Sequence, residues 1–401
     1  MTRLRDYATV TGAYWAFTIT DGALRMLVLL YLNERGYAPL AIASMFLFYE
    51  FFGVVTNLLG GWLGARFGLT ATLFAGLALQ VLALGMLAVD PAWLTVAYVM
   101  VAQGLSGIAK DLTKMSSKSY IKLVVPAGSE GQLMRWVSIL TGSKNTLKGV
   151  GFFLGGALLA LVGFRGAVIG MAAGLMIALA VALSLLPRRA GAAASGVRLR
   201  SVFSKDPRIN WLSAARFFLF GSRDVWFVLA LPIFLASTLG WSFYEVGGFL
   251  ALWVIGYGMV QALAPSYVKA PDARRLGWWT AALVIPLGFL VVVLRGDGDP
   301  TLNLVTGLLI FGVIFATNSA IHSYLVVSYA EQDKVSLAVG FYYMANAAGR
   351  LVGTMLSGAL FQAAGLGKTG LIACLVGSML FVVASRILCV PLARADSLEP
   401  C

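Results

Sequence analysis

Apolar runs of about twenty residues, broken by short polar stretches, recur along the whole chain, and that is the length a helix needs to cross a hydrocarbon core about 30 Å thick. The composition agrees: 60% of the 401 residues are apolar and 12% charged, against about 45–50% and about 25% in soluble domains. The chain reads as a polytopic membrane protein. Arg3 and Arg5 precede the first apolar run without a short hydrophobic region ending in a cleavage site, so the first span is expected to stay as a membrane helix. The formal charge of +13 does not point to nucleic acid, because the basic residues lie scattered between spans rather than on one soluble face. Cys374, Cys389 and Cys401 lack C-x-x-C spacing and His322 is the one histidine. Neither a disulfide framework, a metal site nor a cofactor is expected.

Twelve spans are predicted, centred near Thr20, Phe51, Leu79, Ala102, Phe153, Leu175, Val225, Leu252, Ile285, Phe311, Gly353 and Leu380. With both termini inside, only Arg35, Arg165, Arg295 and Lys368 of the 30 Lys and Arg fall in far-side connections. That is a strong positive-inside bias, expected of a multi-pass protein of the inner, cytoplasmic membrane. The connection at 188–208 carries Arg188, Arg189, Arg198, Arg200, Lys205 and Arg208 among small residues. It reads as a basic cytoplasmic linker between a six-helix half at 1–187 and another at 209–401.

The halves echo each other. Gly156 to Gly163 in the fifth span matches Gly358 to Gly365 in the eleventh at an offset of 202, and Asp21 in the first matches Asp224 in the seventh at 203. A parallel repeat of six helices resembles the major facilitator arrangement, all-α, with its substrate site near mid-membrane between the halves. The segment Gly60 to Gly68 resembles that superfamily's loop G-x-x-x-D-R-x-G, with Ala65 where the motif has Asp.

Charges inside spans need a reason, since each costs on the order of 2.5–3.5 kcal/mol at the helix centre. Arg25, Lys144, Lys148, Arg216, Arg223 and Arg350 stand against Asp21, Glu50 and Asp224. Internal pairs are expected between Asp21 and Arg25, four residues apart, and between Arg223 and Asp224. The remaining cationic excess calls for an anion. The repeat places Lys148 over Arg350 and Lys144 over Asn346, so Lys148 and Arg350 are expected to face each other across the cavity and clamp a substrate negative at both ends. Arg216 either snorkels toward the inner end or joins that site. Lys110, Lys114 and Lys118 form a stripe expected at the cytoplasmic face, with Lys110 or Lys114 reaching the cavity mouth. His322 is expected as a satisfied polar core residue. Asp21, Glu50 and Asp224 are the groups open to proton coupling or to permanent salt bridges.

The stretches Tyr14 to Val28, Phe48 to Asn57, Ser106 to Ser116 and Leu140 to Phe153 resemble the organoarsenical efflux permease family of bacterial arsenic resistance. The match lies almost wholly in the N-terminal half. The resemblance implies export of 1-arseno-3-phosphoglycerate, formed when glyceraldehyde-3-phosphate dehydrogenase accepts arsenate, and hence a functional link to that enzyme. Both ends of that compound are tetrahedral oxyanions, which suits the cationic excess. A general organophosphate, phosphate or organic-anion exchanger is the alternative. A membrane enzyme has little support, with no P-loop, H-E-x-x-H or Ser-His-Asp set. A monomer in the bilayer is expected.

Overall fold

The structure, a computed structural model, describes residues 2–35, 47–126, 128–192, 204–241, 243–296, 298–332 and 334–397. Helices dominate these residues: α1 (Thr2–Glu34), α2 (Leu47–Phe67), α3 (Leu69–Leu87), α4 (Val96–Val124) and α5 (Glu130–Leu185) precede the 188–208 connection. After it come α6 (Pro207–Phe227), α7 (Ala230–Ser237), α8 (Phe243–Tyr267), α9 (Ala273–Ala282), α10 (Val284–Arg295), α11 (Thr301–Tyr329), α12 (Val335–Ala363) and α13 (Gly367–Ser397). In lipid this is the expected solution, since a helix satisfies its backbone hydrogen bonds within itself.

The breaks have local causes. A straight α5 would run about 84 Å at 1.5 Å per residue, far beyond a bilayer. Gly163 interrupts it at φ 70°, ψ 175°, a left-handed backbone that glycine adopts without a steric penalty. The chain turns there and the second arm packs back, with Phe164 stacked on Tyr31 of α1 at 4.1 Å between ring centroids. Pro232 and Pro286 lack the amide that would bond to the carbonyl four residues back, and the seventh and ninth spans break just before them into α6–α7 and α9–α10. The orphaned amide of Ala230 is taken by the Ser357 hydroxyl at 3.2 Å. Counting α6–α7 and α9–α10 each as one span and α5 as two arms, the described residues form the twelve rods expected.

Seven of these units are apolar enough to cross by composition alone; α1, α2, α4 and α12 are not. Each half keeps its own hydrophobic cluster, but a third cluster joins the halves. It gathers Ile121, Leu133 and Val137 of α4 and α5 with Leu212, Ala264, Leu325 and Val339 of the other half. These residues lie toward the end carrying Thr2 and the two described ends of the connection, 188–192 and 204–208. There the halves also touch through Gly61, whose β-carbon would fall 2.7 Å from the Ser336 carbonyl oxygen, and through Lys122, bonded to the Ser328 carbonyl at 3.1 Å. The bundle is sealed at that end.

At Gly60 to Gly68, which the structure shows as the last turns of α2 and the residue after it, Ala65 is fully buried and the docking is done by backbone. Leu69 N–H donates to the Ala190 carbonyl at 2.7 Å, and Arg66 stacks on Trp62.

Candidate functional site

Two glycine-lined crossings bring the interior charges together. Where α1 meets α5, a β-carbon on Gly151 would come within 2.6 Å of the Ile19 carbonyl oxygen, and one on Gly155 within 2.3 Å of that of Ala23. Small residues of this kind let membrane helices approach backbone to backbone. At the crossing, Asp21 Oδ2 accepts from Lys148 Nζ at 3.0 Å and Oδ1 accepts from the Tyr49 hydroxyl at 2.5 Å. The α6–α12 crossing repeats the design: a β-carbon on Gly353 would lie 2.6 Å from the Gly221 carbonyl oxygen. There the fully buried Asp224 receives Arg350 Nε on Oδ2 at 2.9 Å and Arg223 Nε on Oδ1 at 2.7 Å.

The expected pairing is thereby corrected in one respect. Arg223 does pair with Asp224, but Asp21 takes Lys148 from the neighbouring helix rather than Arg25 from its own. The tight α1–α5 contact puts the ammonium within bonding range, while the Arg25 guanidinium lies over the Tyr49 ring, 4.3 Å from its centroid. Lys148 and Arg350 are therefore not bare cations; each is tied to an acid of its own half. Both keep access to the interior, with side chains 20% and 29% exposed.

The α4 stripe is not a cytoplasmic face. Lys110 lies 3.7 Å from the Tyr49 centroid and 3.7 Å from Asp111 Oδ2, and Lys114 bonds Asp111 Oδ1 at 2.5 Å. Lys118 is 2% exposed and donates to the Tyr343 hydroxyl at 2.8 Å and to Thr141 Oγ1 at 3.1 Å. Lys114 sits over the same Tyr343 ring at 4.2 Å. Spacing of four put these lysines on one face, as read, but that face meets α12 of the other half. Asp111, buried at 2%, is an interior acid that the sequence reading did not count, because it sits inside a run of lysines.

Arg216 does not snorkel. It is buried, donating Nε to Asn346 Oδ1 at 2.9 Å and a terminal nitrogen to Ser319 Oγ at 3.0 Å, with Phe220 stacked 3.6 Å below. Arg216 and Asn346, both expected at the site, are thus brought together. Lys144 makes no hydrogen bond or ion pair among the described residues, while its neighbour Asn145 crosses to Gln261 of α8 at 2.5 Å. His322 is buried as expected but unsatisfied, with neither ring nitrogen bonded among the described residues and Tyr342 6.4 Å away between centroids. The side chain of Glu50 lies outside the described residues.

Lys118, Lys144 and Arg216 thus have no carboxylate partner among the described residues. Their hydroxyl and amide contacts orient them without neutralising them, so the arrangement can receive oxyanions through charge-assisted hydrogen bonds.

A helical bundle of two similar halves, with charged groups gathered at their shared centre, is the frame of a solute transporter. The sequence matches the Major Facilitator Superfamily over residues 10–354, and the chain belongs to that family; it is a transporter, not an enzyme. Its fold is similar to that of the human organic anion transporter MFSD10 (TETRAN), with a TM-score of 0.75 and 16% identity over 96% of this chain and 99% of that one. A bacterial homologue of the iron transporter ferroportin, in an outward-facing state, gives 0.76 and 13% over 97% and 99%. The E. coli fucose:proton symporter FucP gives 0.70 and 12% over 97% and 99%. No curated protein matches the sequence. At these identities the likeness is one of fold.

Proposed function

We propose that this transporter is an efflux permease for 1-arseno-3-phosphoglycerate, working by alternating access in the inner membrane and so protecting a cell against arsenate. The observation that carries the reading is the set of interior cations without a carboxylate among the described residues, Lys118, Lys144 and Arg216, between halves that share a repeat. One end of an elongated substrate, negative at both ends, is assigned to Lys144 and Lys118 and the other to Arg216 with Asn346. Lys148 and Arg350 flank them and can turn from Asp21 and Asp224 toward the substrate. With the linker on the cytoplasmic side, the sealed end faces the cytoplasm. The segments resembling organoarsenical permeases support the substrate; a thiophilic arsenic(III) species would need thiolates, and Cys374 and Cys389 are buried away from these cations.

Inverted vesicles test this directly. Arsenate alone should give little flux, because it engages one end at a time. Adding glyceraldehyde-3-phosphate dehydrogenase, glyceraldehyde 3-phosphate and NAD should switch transport on. Equal arsenate flux with and without the enzyme overturns the reading and favours a phosphate or organic-anion exchanger.

A further inference from the structure

Away from the centre, a groove of about 330 Å³ opens on the outer surface between the first turns of α9 and the last turns of α13. Three arginines line it: Arg274 from α9, and Arg386 and Arg394 from α13. None of them forms an ion pair among the described residues. The nearby acids are engaged elsewhere: Asp396 accepts from the Ala273 amide at 3.3 Å and Asp272 caps α9 through the Arg275 amide at 2.7 Å. Gly277 makes the room. A β-carbon there would touch the Arg386 guanidinium at 3.4 Å, so the guanidinium lies across bare backbone and forms the floor.

The wall beside these arginines is apolar and faces outward. Leu380, Val383, Ile387 and Val390 are 66%, 45%, 62% and 41% exposed, and their spacing of three and four residues puts them in one line along α13. Arg394, four residues beyond Val390, continues that line. Trp278, 73% exposed, stands at the groove's edge, where an amphipathic ring marks the level of lipid headgroups.

We infer that this groove is a binding site for an anionic phospholipid, its phosphate on Arg386, Arg394 and Arg274 and an acyl chain along the stripe from Val390 to Leu380. Basic pockets between helices at a membrane surface hold acidic headgroups in this way. A soluble phosphate would use the arginines but leave the stripe without a role. The site shares no residue with the central cations, so it stands or falls apart from the transport reading.

The test places the full chain in nanodiscs of phosphatidylcholine with increasing phosphatidylglycerol, reading retained lipid by native mass spectrometry and stability by thermal melting. Wild type should retain phosphatidylglycerol and melt higher as its fraction rises. R386Q/R394Q should bind it about thirtyfold more weakly, from about 1 kcal/mol per arginine near an anionic surface. Should that variant fold poorly, R394Q alone, at an exposed position, should lose about fivefold. I387N/V390N should also shed the lipid, with all three arginines in place. Equal retention by wild type and arginine variants overturns the site. Glycerol 3-phosphate reproducing the stabilisation in the absence of phosphatidylglycerol overturns it too, by reducing it to an anion site.

Discussion

Replacing Asp224 by Asn removes the one carboxylate that Arg223 and Arg350 share. Its two oxygens divide between them, Oδ1 at 2.7 Å from Arg223 Nε and Oδ2 at 2.9 Å from Arg350 Nε, with no solvent at the carboxylate. An amide can still accept a hydrogen bond, but it removes the negative charge from between two guanidinium groups. Breaking a buried pair from one side costs about 3–5 kcal/mol. At about 2 °C per kcal/mol, the scale for chains above 200 residues, the melting temperature should fall by about 6–10 °C. The assay is the melting of dispersed protein in detergent, followed by the fraction that remains monodisperse on size exclusion. The double variant D224N/R350M should recover only part of the loss, because Arg223 still lacks its acid; D224N/R350M/R223M should recover most of it. If D224N melts within about 2 °C of wild type, on the same scale, or if D224N/R350M restores it fully, the shared-carboxylate account is wrong.

K144M removes a cation that pairs with nothing among the described residues, so it should melt no lower than wild type; on the reading proposed above, affinity for the anionic substrate should fall by about one to two powers of ten, measured by concentration dependence of flux. G353A should sharply reduce folded yield, because its β-carbon meets the Gly221 carbonyl, whereas G358A, with open space around it, should express normally. Y343F keeps the ring under Lys114 but deletes the hydroxyl bonded to Lys118. A bond between halves at the sealed end is then missing, and a thiol placed by S336C, buried at that end, should label faster in Y343F than with Tyr343 intact.

What the sequence yielded, and what it hid, follows from the range of the forces involved. Span length and the offset linking Lys148 to Arg350 are properties of one helix or of a repeat, and both reappear in the fold; the linker expected at 188–208 lies largely outside the described residues. The partner of Asp21 is not such a property. Spacing of four favours Arg25, yet the glycines at 22, 151 and 155 bring α5 close enough for Lys148 to reach it. Those glycines were visible; that they served the α1–α5 contact was not. Spacing of four puts Lys110, Lys114 and Lys118 on one face, but whether a face meets headgroups or another helix depends on the half 200 residues away. Arg216 raised the same ambiguity, and only Asn346 and Ser319 on two other helices decide it. The breaks before Pro232 and Pro286 follow from prolines that span length alone does not weigh.

The three cations without carboxylates also make the centre an electrical element. When a bundle exchanges the side to which its centre opens, the fixed charge there travels part of the way through the membrane potential, where a full crossing is worth about 2.3 kcal/mol per charge at 100 mV. On the reading proposed above, the empty protein responds with the whole excess of positive charge at its centre, and an anionic substrate aboard cancels part of it. Voltage, negative inside, therefore acts chiefly on the unloaded protein and draws its centre toward the cytoplasm. For the efflux proposed above, the loaded form would then cross outward against a smaller electrical load, and the resting potential of the cell would reset the carrier after each departure.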